Sequence, residues 1–119
     1  MAILEEVRDS SRSGLVPAAA LFRSLGDPAR LAILRSLAGS EKRVVDLVAE
    51  LGLAQSTVSK HLSCLRDCRL VTSHPAGRAS MFTLAAPALL GVFHATETLL
   101  EATGSAVELC PEYGAGATL

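Results

Sequence analysis

Residues 44–65 constrain the fold of this chain more than any other stretch. Apolar residues recur there twice at three- and four-residue spacing, first as Val44, Leu47, Val48 and Leu51, then as Val58, Leu62 and Leu65. That is the period of a helix with one buried face. Gly52 stands between the two stripes and permits a sharp turn. Neither helix is long enough to be stable by itself, so each must bury its stripe against the other and against a third element. Upstream, Leu31, Ile33, Leu34 and Leu37 supply such an element. It is preceded by Asp27 and Pro28, a carboxylate able to cap free N–H groups and a proline suited to the first helical position. Gly39 is placed to end it. The apolar residues support helices generally, with 20 Leu and 19 Ala against 9 Val and 2 Ile.

On either side of this core the pattern extends to a complete small domain. Pro17 is expected to open an Ala-rich helix running to about Leu25, with Gly26 breaking it. Residues 70–73 and 79–84 read as two short strands around the turn-prone residues 74–78, a β-hairpin. Pro87 then starts a last helix, with Leu89, Leu90, Phe93, Leu99 and Leu100 as its apolar set. The expected class is mainly α with a small β-hairpin, in a chain of 119 residues that holds one core. The domain should span residues 1–104, and residues 105–119, with Pro111 and two Gly, should form a flexible tail.

Several functions are disfavoured at this level. With aromatics at 3% and no Trp, a stacking platform for single-stranded nucleic acid is not expected. The longest apolar run, residues 84–93, falls short of the about 20 residues a bilayer requires. No charged segment followed by an apolar one opens the chain, so the expectation is a cytoplasmic protein with no membrane partner. In a reducing compartment the 3 Cys are expected as free thiols, metal ligands or core filling.

The net charge of -1 conceals a strong asymmetry. Residues 21–80 contain nine Lys or Arg against five acids, whereas residues 81–119 contain four Glu and no base. A basic middle is what a polyanion-binding surface needs. Two helices joined at a Gly turn and followed by a hairpin describe a winged helix-turn-helix, whose second helix enters the major groove of double-stranded DNA. On that reading Gln55, Ser56, Thr57, Ser59 and Lys60 project towards DNA, and Arg78 at the hairpin tip is the wing contact, with His74 weaker. Gln pairs with adenine, hydroxyls serve bases or phosphates, and Lys neutralises a phosphate.

Residues 25–34 (Leu-Gly-Asp-Pro-Ala-Arg-Leu-Ala-Ile-Leu), residues 46–62 with Gln-Ser-Thr-Val-Ser-Lys-His at 55–61, residues 65–71 and the Gly77-Arg78 wing resemble the ArsR/SmtB family of metal-responsive repressors. The resemblance covers about residues 15 to 103. It implies a homodimer held by the first and last helices, bound to a palindromic operator and released by an inducer. The chain departs from the family at Val48, where Ala is usual, and at Ala54, which offers no capping side chain.

Family members differ in where the metal sits. The arsenic and cadmium site before the turn has a Cys-Val-Cys-Asp-Leu pattern where this chain has Arg43, Val44, Val45, Asp46 and Leu47, so that site is missing. The zinc and nickel site on the last helix is missing too, its positions being Ala86, Ala88, Leu99 and Ala102. Cys64 and Cys68 remain, four apart and so about 6 Å along one helix face, with Cys110 in the tail. This arrangement is similar to the CmtR-type cadmium and lead sensors of the family, in which two helix thiolates and a tail thiolate share one ion. Three sulfurs suit Cd(II), Pb(II) or As(III), while Zn(II) would want a fourth ligand. Arg66 and Arg69 favour the thiolates. The alternatives are Cys64 and Cys68 as core filling, and a thiol redox-sensing or As(III)-sensing repressor of the same fold. A small cysteine enzyme is disfavoured, since no His or acid is spaced to pair with these thiols.

Overall fold

In a computed structural model the backbone is described for residues 2–104 and the side chains for residues 12–104. Five helices and one hairpin follow in order: α1 Ala2–Leu25, α2 Pro28–Gly39, α3 Val44–Leu51, α4 Gln55–Asp67, β1 Val71–Ala76, β2 Ala79–Leu84 and α5 Ala88–Ala102.

Local chemistry accounts for most of the boundaries. Asp27 caps α2 by accepting from the backbone N–H of Ala29 at 2.8 Å and of Arg30 at 3.2 Å, and Pro28 occupies the first turn. At α3, Asp46 accepts from the Arg43 backbone N–H at 2.9 Å while the Arg43 guanidinium reaches Asp46 at 3.0 and 3.2 Å. Gly52 ends α3 in the left-handed region at φ 67, its N–H bonded to the Val48 carbonyl at 3.0 Å. This conformation lets α4 depart at a new angle directly after α3, and a side chain there would be strained.

The end of α4 is a Schellman closure, with Leu70 N–H on the Leu65 carbonyl and Arg69 N–H on the Arg66 carbonyl, both at 2.9 Å. The left-handed position falls on Arg69, at φ 63, where glycine is the usual occupant. The closure fixes the direction in which the chain leaves for β1.

Strands β1 and β2 pair antiparallel from Val71↔Leu84 to Ala76↔Ala79, leaving Gly77 and Arg78 as a two-residue turn. Gly77 adopts φ 66, as the first position of a primed hairpin turn demands. Pro75 is accommodated because a two-stranded sheet consists of edges, where a missing N–H is harmless. The hairpin is anchored by Lys42, whose N–H bonds the Phe82 carbonyl at 3.0 Å and whose carbonyl accepts from Phe82 N–H at 2.7 Å.

The core gathers Ile33, Leu34 and Leu37 of α2, Leu47 of α3, Val58, Leu62 and Leu65 of α4, Val71 and Phe82 of the hairpin, and Leu89 and Phe93 of α5. All three helical stripes around the turn thus face inward as their spacing requires.

Two helices differ from expectation. The first helix runs through Pro17 instead of starting there. Residues 12–20 are exposed, so the carbonyl that loses its donor at Pro17 faces solvent, where water can replace the missing bond. In α5, Leu99 is 65% exposed although its spacing assigns it to the apolar set, while Glu97 is only 5% exposed. Both Glu97 carboxylate oxygens lack a hydrogen-bond partner among the described residues. Among the described residues no helix is long and apolar enough to cross a membrane.

The Asp27 cap carries a pH signature. The Arg30 backbone N–H holds its carboxyl below the usual 3.8, with help from the Ala29 N–H and the nearby Arg30 charge. A carboxyl depressed in the folded state stabilises the fold above its unfolded value, and that contribution disappears as pH falls through the folded value. Asp27→Ala is therefore expected to melt at a lower temperature than the parent at neutral pH. The gap should shrink as pH drops below about 4, which thermal melts followed by circular dichroism across that range would check. A gap independent of pH would remove the carboxylate cap from the account.

Candidate DNA-reading helix and cysteine pair

Helix α4 carries three sets of side chains distributed around its circumference and along its length. Its inward stripe, Val58, Leu62 and Leu65, is locked into the core. Gln55, Ser56, Ser59 and Lys60 are exposed on its first two turns, and Thr57 is half-buried. The first turn has no side-chain cap, since Ala54 precedes it. Arg78 is exposed at the hairpin tip, as its place in the two-residue turn dictates.

The recognition-type helix is braced from the side by α2. Arg30 Nε donates to His61 Nδ1 at 3.2 Å, so His61 is held in the tautomer that carries its hydrogen on Nε2. The ring thus works within the helix-turn-helix. His74, the weaker wing candidate, is engaged with Glu41 at 3.0 Å and ties β1 to the segment before α3. Lys42 and Arg43 are similarly occupied, with Glu50 at 3.3 Å and Asp46 at 3.0 Å. The Arg43 guanidinium, then the Arg43 backbone N–H, hold the Asp46 carboxyl below its usual range. At α3, then, Arg43 is held in an ion pair with Asp46 at one of the two positions where a metal site of another type would need thiols.

At the other end of α4 stand the thiols. Cys64 is half-buried in the last turn; Cys68 is exposed and caps the helix. Cys68 N–H bonds the Cys64 carbonyl at 3.0 Å, so the helical turn between them is closed and the two residues lie one above the other. Among the described residues no three His, Cys, Asp or Glu side chains form a group able to hold a metal. Cys110, expected as the third thiol, lies outside the described residues, as does all of the expected tail 105–119.

One neighbour of the thiols was not legible in the sequence. The Ser24 hydroxyl of α1 lies 3.0 Å from Cys68 Sγ, across 44 positions of chain. The available signal was its helical phase beside the half-buried Leu21 and Leu25, which places a small polar residue on an inward stripe.

Residues 27–73, which comprise α2, α3, α4 and the start of β1, match the family model of the bacterial regulatory proteins of the arsR family. A probable mercury resistance operon repressor of Streptomyces lividans is 30% identical over 92 residues, 77% of this chain and 74% of that protein. The chain belongs to the arsR family of bacterial regulators. The HTH-type transcriptional regulator CmtR of Mycobacterium tuberculosis is 46% identical over 67 residues, 56% of this chain and 57% of CmtR. The chain thus spans little more than half the length of that relative. The solution structure of the Mycobacterium tuberculosis cadmium sensor CmtR superposes with a TM-score of 0.56 at 42% identity, covering 65% of this chain and 80% of that one. As an arsR-family member the chain is a DNA-binding transcription regulator with the winged helix-turn-helix fold, and not an enzyme.

Proposed function

We propose that this regulator is a metal-responsive repressor: it binds operator DNA as a homodimer and releases it when Cys64, Cys68 and Cys110 hold one thiophilic ion, Cd(II) or Pb(II). The observation that carries the reading is the pair of thiols one turn apart at the rear of α4, whose front presents Gln55, Ser56, Ser59 and Lys60 to solvent. The resemblance to a cadmium sensor over this segment supports it. The donor set fits soft ions. Sulfur prefers Cd(II) and Pb(II) to hard cations, a pyramidal As(III) would also accept three sulfurs, and Zn(II) would need a fourth ligand.

On the DNA side, Gln55, Ser56, Thr57, Ser59 and Lys60 read or position the major groove, and Arg78 of the wing holds the backbone. Dimerisation is supported by apolar surface on the first and last helices: Leu15, Val16 and Phe22 of α1 and Leu99 of α5 are each more than 60% exposed. Phe22 also lines an apolar cleft of about 190 Å3 between α1, α2 and α5, with Leu25, Leu31, Val92, Phe93 and Thr96. A face of this composition is costly to leave in water. Two recognition helices about 34 to 36 Å apart match successive major grooves, and an ion that joins the end of α4 to the tail shifts that spacing.

Two measurements test the reading. Titrating reduced protein with Cd(II) should produce ultraviolet sulfur-to-metal charge transfer and a parallel loss of operator binding. Absence of either signal would refute the metal assignment. Lys60→Ala should weaken operator binding across sequences and reduce the salt slope by about 0.9 per protomer, as a lost phosphate contact does. An unchanged slope removes Lys60 from the interface.

A further inference from the structure

Ser24 is one of two buried polar residues among those described, only 5% exposed, and its hydroxyl is committed to the sulfur of Cys68 at 3.0 Å. Its helix, α1, also carries much of the exposed apolar surface. At 100° per residue, Phe22 and Leu15 point about 180 to 200° away from Ser24 around that helix. Phe22 is 66% exposed and Leu15 64%. One helix therefore touches the cysteine at the end of the DNA-reading helix with one face and offers its apolar side with the other.

We propose that Ser24 is a positioning residue for the metal response, donating its O–H to the sulfur of Cys68 and so tying the state of that sulfur to α1. The inference rests on the proposed metal-sensing function and adds the residue through which the site reaches the first helix. In the metal-free protein either atom of the pair serves as donor. A metal-bound thiolate has no hydrogen to give, so Ser24 must then be the donor, to an acceptor that carries negative charge. Such bonds are about twice as strong as neutral ones. Ion binding thus tightens the link between α1 and the end of α4 at Cys68. Partners of this kind around a metal orient the ligand, and their removal typically costs about 10- to 100-fold in metal affinity.

The test compares full-length wild-type protein, Ser24→Ala and Ser24→Thr with Cd(II) as the probe. Serine to alanine in a helix removes one atom and improves helix propensity, so the fold and metal-free operator affinity should be retained, the latter within about twofold. Cd(II) affinity, measured by chelator competition, should fall about tenfold in Ser24→Ala and recover in Ser24→Thr, which keeps the hydroxyl. The charge-transfer band should move to longer wavelength in Ser24→Ala, because a hydrogen bond lowers the energy of the sulfur lone pair. A purely structural role would leave the band in place. An unshifted band with wild-type affinity in Ser24→Ala, or Ser24→Thr as weak as Ser24→Ala, overturns the assignment of Ser24 alone. A wild-type protein with no charge-transfer band overturns the metal-sensing reading beneath it as well.

Discussion

Leu62→Ala should lower the unfolding free energy by about 3 kcal/mol, within the range of about 2 to 5 kcal/mol for truncating a fully buried leucine. Leu62 is 1% exposed and lies midway along α4, between Val58 and Leu65 on the stripe that meets α2 and α3. Its removal takes apolar area from the core and leaves a cavity that helices pinned at both ends cannot close. A loss of this size should depress the melting temperature by on the order of 10 °C or more in a domain of this length. Operator affinity should fall with it once the unfolded fraction becomes appreciable, since the same helix carries the polar front. Urea denaturation with an unchanged slope measures the effect directly. A cost under about 1 kcal/mol would mean that α4 is not seated by this stripe.

The second large effect concerns Cys68→Ser. Operator binding without metal should persist, because the first two turns of α4 are far along the helix from position 68. The Cd(II)-induced loss of binding should shrink by about tenfold or more, since coupling between two ligands is typically worth 1 to 3 kcal/mol, about 5- to 150-fold. Linkage requires the reciprocal effect, so operator DNA should weaken Cd(II) binding to the wild-type protein by the same factor. Fluorescence anisotropy of labelled operator, with and without Cd(II), decides both. Cys110→Ser should behave similarly if the tail supplies the third sulfur. Full release in Cys68→Ser would separate the cysteine pair from the response, and unchanged release in Cys110→Ser would remove the tail.

Much of this could be read from local chemistry. Asp27 with Pro28, the glycine at 52, and the 58–62–65 stripe each act through neighbours within about one helical turn, so their outcome depends little on the rest of the chain. The Gly77-Arg78 turn likewise sets the hairpin register without distant help. Where expectation and structure part, the deciding contact is absent or remote. Pro17 signals a helix start only if its missing donor must be paired within the protein, and solvent around residues 12–20 removes that condition. Leu99, which its spacing assigns to the apolar set, is exposed because which side of α5 meets the core depends on how the helix lies against α1 and α2.

Sequence alone therefore determined the helix-turn-helix, its hairpin, the polar front of α4 and the presence of two thiols at its rear, since each follows from residues a few positions apart. Tertiary structure alone decided that α1 passes unbroken through Pro17, that a glutamate is buried where a leucine is exposed, and that Ser24 meets Cys68. The physical reason is range. Periodicity and capping report which face of an element turns inward, but the partner that face meets across 44 positions is chosen by the packing of the whole core.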